Sequence, residues 1–411
     1  MLVQIANTTR DYAWGSTSAI PKILGLPVSE VPRAELWLGT HERSPSWVVH
    51  PDGANEALGS WLARMGSPTA PRFLMKILAA ARPLSLQVHP STEQAIAGYE
   101  REDAAGIPLD ADHRNYRDRS HKPEVVVALS ETFEALSGFR PLAEVASELQ
   151  YVLAETATNG SPQFAEAAAS VARFLFDIES ESDTLAEEAR RPALTDWLFC
   201  ADNDVFQLQS SLERLVRHLA QGETVSPNLV TFLDLSTRYP GDPGALISLL
   251  LHRVTLHKGE ALFLPAGNIH AYLEGTGVEV MASSDNVLRG GLTAKHIDTA
   301  ELSRVLDFST LPVPLLAPTD VSPGITAWQP AVDDFCVWRA TPSANAPVSV
   351  IWQGTLFGIV VEGSVVVTTP ESSLTLVAGQ CFAGLLKHPE AALLVSGSGT
   401  VFVATAGTQP A

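Results

Sequence analysis

At 411 residues, the chain is long enough to bury a sizeable core in two or three domains, and its formal charge of −19 excludes a nucleic-acid or anionic-membrane surface, which needs clustered Lys and Arg. Hydrophobic residues make up 45% and charged residues 18%, a globular composition that excludes a disordered chain. Cys200, Cys336 and Cys381 are odd in number and far apart, giving neither a disulfide framework nor a paired-cysteine metal site, and are read as reduced and mostly buried.

The N-terminus, MLVQIANTTRDYAWG, has no basic segment before an apolar core, and no apolar run is long enough to span a bilayer, so a cytoplasmic protein is expected. Short strands and turns follow: the run Leu2 to Ile5, the aromatic turn Tyr12-Ala-Trp-Gly15, and the alternating Ala34 to Gly39. Phe73 to Ala81 is open between strand and helix, because a short apolar run does not fix its own period. Pro83 to Pro90 alternates strictly, so as a strand it turns Ser85, Gln87 and His89 to one face. Ser91-Thr-Glu-Gln94 opens a helix, Arg101 to Arg119 reads as a solvated loop, and His121 to Leu129 begins another strand with Lys122 and Glu124 on one face.

From Pro141 the period becomes helical, with Leu142, Val145, Leu149 and Val152 and then Leu208, Leu212, Leu215 and Leu219 recurring at helical spacing. The helical region ends at the turn cluster Tyr239 to Pro243, and β pattern returns near Val254. Leu311 to Pro318 reads as a proline-rich linker, and the strands after it, among them Val348 to Trp352, Leu356 to Val367 and Val401 to Ala404, predict a second β-sandwich or barrel. The organisation expected is mainly β with an α-helical insertion: residues 1–140 with 250–308 as one β domain, 141–249 as the helical domain, and 309–411 as a C-terminal β domain.

Chemistry concentrates between Leu256 and Asp298. This stretch alternates, turns at Pro265 to Gly267, places His270 just beyond the turn, and ends in a Gly-punctuated loop carrying Asp285, Asn286, Arg289 and Lys295. The spacing Gly259, Pro265, Gly267, His270 resembles the second motif of cupins, the metal-bearing turn of jelly-roll barrels. Val377 to His388 echoes the stretch without its proline or its loop, as a degenerate repeat would. Taken singly, His89 reads as a satisfied histidine, Glu124 as the partner of Lys122 and Gln87 as a hydrogen-bonding polar residue. Together with His270 they form a nitrogen and oxygen donor set that suits zinc with a position left open.

Ala34 to His41, Pro83 to Pro90, His121 to Glu124, Pro265 to Leu273 and Glu279 to Lys295, in that order, resemble the type I phosphomannose isomerases, zinc enzymes of the cupin class. The resemblance implies a cupin-like jelly-roll catalytic domain, a degenerate cupin-like C-terminal domain, one Zn2+ per chain held by Gln87, His89, Glu124 and His270, and a monomer acting on a small sugar phosphate. It implies interconversion of mannose 6-phosphate and fructose 6-phosphate through an enediol, with Arg289 catalytic, Ser85 and Lys122 at the substrate and its phosphate, and Glu279, Asp285 and Lys295 at further pocket positions. The general base stays open among Glu279, Asp285 and His121. Gly290 stands where the family commonly has Ala and Ala294 where Pro is common, which predicts a more flexible lip. Two other readings are a non-catalytic sugar-phosphate-binding cupin, which would not need Arg289, and an iron-dependent cupin oxygenase, which would use more histidine and no Gln.

Overall fold

The computed structural model describes residues 1–50, 52–67, 70–158, 162–179, 184–222, 224–351, 354–386 and 392–407. The chain opens with β1 (Leu2–Ala6), α1 (Ala19–Ile23), β2 (Glu35–Leu38), β3 (Trp47–Val49), β4 (Asn55–Ala57), α2 (Leu58–Arg64), β5 (Phe73–Ala80), β6 (Leu86–Val88) and α3 (Thr92–Ala104). The ambiguous apolar run is therefore a strand, and β5 is buried along its whole length. The predicted helix start is a full capping box, in which the Ser91 hydroxyl accepts from the Gln94 N–H and Gln94 Oε1 accepts from the Ser91 N–H.

The segment expected to be a solvated loop is exposed over most of its length but carries buried anchors. Its first residues belong to α3, and Tyr116 and Arg114 are buried. Arg114 donates to the carbonyls of Tyr116 and Ile107 and to Asp103, while Glu102 accepts the Asn115 and Tyr116 N–H groups. Glu102 and Arg114 are thus spent largely on the segment's own backbone, which a count of charged residues cannot reveal.

Strands β7 (Glu124–Ala128) and β8 (Thr132–Phe139) lead into helices α4 (Leu142–Thr158), α5 (Ala165–Glu179), α6 (Thr184–Cys200), α7 (Asn203–Leu219) and α8 (Pro227–Arg238). All eight leucines and valines predicted to share helix faces in α4 and α7 are buried in one core with α5 and α8. Asp202 and Ser226 cap α7 and α8. After the short α9 (Gly244–Ile247), the chain returns as β9 (Leu251–His257), β10 (Ala261–Leu264), β11 (His270–Ala282), β12 (Leu288–Gly291) and α10 (Thr299–Val305).

β11 is the axis of the nine-stranded sheet system. Its first residues pair with β6 and β8, and from Gly275 onward it runs between β5 and β7. The register shifts between Tyr272 and Glu274, and Gly275 follows with φ +136 and a Cβ position only 2.6 Å from the Phe133 ring. A glycine is needed where the strand changes partners. One long strand thus carries His270 at its start and Glu279 further along.

The C-terminal strands are β13 (Thr319–Ser322), β14 (Ile325–Trp328), β15 (Cys336–Ala340), β16 (Val348–Ile351), β17 (Gly354–Thr369), β18 (Ser372–Val377), β19 (Cys381–Leu386) and β20 (Ala392–Thr405). Trp352, Lys387 and His388, which the predicted strands and repeat include, lie outside the described residues. The eleven-stranded sheet does not begin at residue 309: β1 pairs with β19 and with β3, which pairs with β4, so N-terminal strands complete the C-terminal sheet. One core, including Leu36, Ile77, Val280, Phe357 and Phe402, fills the space between the two sheet systems. The proline-rich stretch is laid along β10, where the Phe263 N–H donates to Pro314 O and the Leu316 N–H to Ala261 O. Among the described residues, no helix is long and apolar enough to cross a membrane.

Candidate active site and metal centre

β6 lies between β11 and β12, with Gln87 opposite both His270 and Arg289. Directly opposed residues of antiparallel strands face the same way, so metal donor and cation share one surface. His89 follows two residues later on the same face, and Glu124 enters from β7. The donor atoms of His89, Glu124 and His270 lie within 4.8 Å of one another, and all three residues are buried. Nε2 of His89 is 3.3 Å from Glu124 Oε1, and Nε2 of His270 is 3.7 Å from Oε2.

The arrangement fits a metal. Both Nε2 atoms are buried without a hydrogen bond, whereas Nδ1 of His89 lies 2.7 Å from the Asn286 carbonyl and Nδ1 of His270 lies 3.0 Å from that of Asn268. Those carbonyls fix the proton on Nδ1 and leave the Nε2 lone pairs facing Glu124. Burial, and for His270 the neighbouring His89, hold both imidazoles below their ordinary pKa, His270 down to about 4, so they are neutral ligands at neutral pH. Burial alone would raise the Glu124 pKa, but Lys122 and His89 outweigh it and keep the carboxyl well below its usual range. Three anionic or neutral N/O donors with the Gln87 amide beside them are what zinc accepts.

A depressed histidine pKa has a consequence for the metal-free protein. Unfolded histidines titrate near 6.5, so below that pH the unfolded chain takes up protons that the folded one refuses until about 4 at His270. Stability therefore falls as pH falls through this window, by up to about 1.4 kcal/mol per pH unit for each such group. Urea unfolding of the chelated protein and of its His270→Ala variant at pH 7.5 and pH 5 separates this contribution from that of Glu279, whose raised pKa acts in the opposite direction; the midpoint falls further on acidification with His270 present, and an equal change in the two would count against a neutral buried imidazole.

A cavity of about 420 Å3 opens in front of Gln87 and Glu124. Ser85, Lys122, Glu279, Asp285, Arg289 and Lys295 all line it, so the structure brings together eight of the eleven residues singled out in the sequence, with His89 and His270 behind them in the metal cluster. His121 does not line it. Its Nε2 lies 2.9 Å from Asp334 of the C-terminal region, and this hydrogen bond raises its pKa; the side chain ties two parts of the chain instead of reaching the cavity. Lys122, expected at the substrate, places its ammonium 2.7 Å from Glu124 Oε1 and so balances a metal-site carboxylate.

Arg289 and Lys295 have no ion-pair partner among the described residues; burial lowers the pKa of each, with neighbouring positive charge adding to the shift. Asp285 is held by His41 and Arg43, each at 3.4 Å, which outweigh its burial and keep it ionised. The loop that supplies these groups is anchored by Asp118, whose carboxylate accepts the Asp285 N–H and the Ser284 hydroxyl, while the Asn286 amide donates to the Asp118 and Ser120 carbonyls. Tyr239, at the end of α8, lines the cavity and donates to Pro83 O, so the helical region reaches the site.

The family model described as phosphomannose isomerase type I, catalytic domain, matches residues 2–142. The mannose-6-phosphate isomerase of Salmonella typhimurium is 35% identical over 410 residues, which is 97% of each chain. The chain belongs to the type I phosphomannose isomerase family. Mannose-6-phosphate isomerase 1 of Arabidopsis thaliana is 33% identical over 350 residues, 80% of this chain and 76% of the relative. Among solved structures, the Salmonella typhimurium enzyme bound to fructose 6-phosphate and zinc superposes with a TM-score of 0.84 and 31% identity, covering 99% of this chain and 100% of that one. The fold is thus the cupin-like, sheet-rich fold of solved phosphomannose isomerases, with helices between the β elements.

One residue of this phosphomannose isomerase site is missed by the sequence pattern. Lys76, in the middle of β5, is buried between Glu279 at 3.3 Å and Glu35 at 3.6 Å and lies 4.7 Å from the centre of the Trp37 ring. Burial works against its charge, but the two carboxylates outweigh it and raise its pKa. A signal for it exists: Phe73 to Ala81 is an apolar run with a single charge, and lysine is almost never buried unless paired. One ammonium shared by two carboxylates leaves Glu279 incompletely neutralised, and burial pushes its pKa up to about 7, with Glu124 and Glu35 adding to the shift.

At the lip, Gly290 has packed neighbours on the side a Cβ would occupy. Gly290 lies within β12, without a positive φ, and a Cβ there would make ordinary contacts of 3.4 to 3.5 Å with Leu302, Ile269 and Phe199. Gly290→Ala should therefore stabilise the protein by about 0.4–1 kcal/mol by reducing the freedom of the unfolded chain, read as a rise in Tm; a fall would show that the bulged strand cannot accept a Cβ.

Proposed function

We propose that this protein is a zinc-dependent aldose–ketose isomerase that interconverts mannose 6-phosphate and fructose 6-phosphate. The observation that carries the reading is a buried, ligand-ready His89, Glu124 and His270 cluster beside a carboxyl poised near neutrality and two unpaired cations in one cavity. A proton must pass between adjacent carbons of the open-chain sugar through an enediol, which requires a base, stabilisation of the developing oxyanion and a hold on the phosphate.

Gln87, His89, Glu124 and His270 would hold the zinc, which would supply Lewis-acid chemistry toward the sugar's oxygens. Glu279 is the base. Buried and near neutral pKa, it takes the carbon-bound proton and returns it to the neighbouring carbon, while Lys76 beside it holds its carboxylate in place. Arg289, facing the same way as Gln87, donates to the oxyanion. Lys295, more exposed at the mouth, binds the phosphate together with Ser85, and Asp285, fixed by His41 and Arg43, accepts hydrogen bonds from sugar hydroxyls. Trp37, Tyr12 and Trp14 supply apolar walls that keep water from the reacting carbons.

The test is direct assay of the zinc-loaded protein with mannose 6-phosphate and, in reverse, with fructose 6-phosphate. Interconversion without oxygen consumption is expected; binding without turnover, or uptake of oxygen, would contradict the reading. Within it, Arg289→Ala keeps stoichiometric zinc and loses about a hundredfold in kcat. Retained kcat would remove Arg289 from the chemistry.

A further inference from the structure

A second cavity, of about 660 Å3, lies away from the active site and shares none of its lining residues. It forms where α1, the β7 end and the β9–β10 turn meet β15, β17 and β20 of the C-terminal sheet. Three cations line it from three elements: Lys22, Lys258 and Arg339. None of the three has an ion-pair partner among the described residues, and Glu362 is the one carboxylate in the lining. In a chain of net charge −19, three cations without ion-pair partners among the described residues give this hollow a local positive charge.

Arg339 is built into the site. Its guanidinium lies 5.5 Å from the centre of the Trp328 ring, Nη2 donates to the Thr326 hydroxyl at 3.0 Å, and Nε is buried with no hydrogen bond. Nη1 points across to the catalytic side, where the absence of a side chain at Gly259 leaves room for it: a Cβ there would be 3.2 Å away. The guanidinium, held over the Trp328 ring and by Thr326, is therefore fixed in direction, with donor capacity left over. Around it, Thr400 offers a hydroxyl, and Ile23, Leu129 and Val361 an apolar wall.

We propose that this cavity is a second, non-catalytic binding site for a small organic phosphate, with Arg339, Lys258 and Lys22 gripping its anionic groups. Arg339 supplies the oriented, planar contact and the two lysines the mobile charge, while the apolar wall accommodates a carbon skeleton that inorganic phosphate lacks. The bound anion bridges the catalytic and C-terminal sheets. It also lies against Thr276, three residues before Glu279 on β11, so occupancy is placed to be felt at the active site.

The test separates this site from the catalytic cavity, whose own cations also attract phosphate. Zinc-loaded Arg289→Ala/Lys295→Ala protein is titrated calorimetrically with 3-phosphoglycerate, and saturable binding of one molecule per chain is expected. Adding Lys22→Gln and Lys258→Gln should weaken that binding by about tenfold or more, since removing one charge-assisted hydrogen bond already has an effect of that size. In the otherwise unaltered chain, Lys22→Gln/Lys258→Gln should leave isomerase activity unchanged without added anion, which shows that the fold survives; Arg339→Gln should weaken binding further than either lysine change alone. Absence of saturable binding in the Arg289→Ala/Lys295→Ala protein, or an affinity unmoved by the lysine substitutions, would overturn the proposal.

Discussion

His270→Ala is expected to yield a folded protein that has lost its zinc and with it its isomerase activity. The residue starts β11, is buried, and contributes one of only three strong donors in the cluster. Loss even of groups that merely orient a ligand weakens metal binding by about 10–100-fold, so loss of a ligand itself costs more than about 100-fold. Removal of the imidazole also leaves Glu124 with Lys122 at 2.7 Å as its principal partner, and that ion pair is able to close over the emptied position. Metal analysis after dialysis, with circular dichroism to show the fold, is the measurement. A variant that still holds stoichiometric zinc would refute the ligand role.

Glu279→Gln should reduce kcat by on the order of 10³ with zinc content unchanged. The amide is close in size to the carboxyl but cannot take a proton. The change also leaves Lys76 with Glu35 alone, so its cation keeps one partner and the pocket stays intact. The pH profile tests the assignment more sharply. With the Glu279 carboxyl raised to about 7 by burial, kcat/KM of the unaltered enzyme rises as pH increases through that value, because the ionised form is the active base. The variant's residual activity should lack this limb. If the limb persists, it belongs to another group and Glu279 is not the base; Asp285, held ionised by His41 and Arg43, could not give a limb at that pH.

The metal cluster is legible in the sequence because strict alternation fixes which side chains share a face. Gln87 and His89 are two apart in a run bounded by Pro83 and Pro90, and Lys122 and Glu124 repeat the pattern before an apolar strand. The helical region is legible because its leucines and valines keep a 3.6-residue period over several turns. What stays hidden depends on pairing at a distance. Nothing in Leu2–Ala6 announces that it lies beside Cys381–Leu386, and nothing at His121 announces Asp334. Both pairings are set by tertiary packing, which leaves no local pattern to read. Lys76 is hidden differently. Its charge stands in plain view, but the period of the run around it says nothing of the cost of burying an ammonium, and it is that cost that requires Glu35 and Glu279 nearby.

The zinc requirement is central, and one measurement tests it most directly. The protein is assayed for fructose 6-phosphate formation from mannose 6-phosphate, then chelated and dialysed, then assayed again before and after addition of one equivalent of zinc. Activity should disappear with the metal and return with stoichiometric zinc, in step with occupancy of the His89, Glu124 and His270 cluster. Full turnover by protein shown to be free of metal would contradict it.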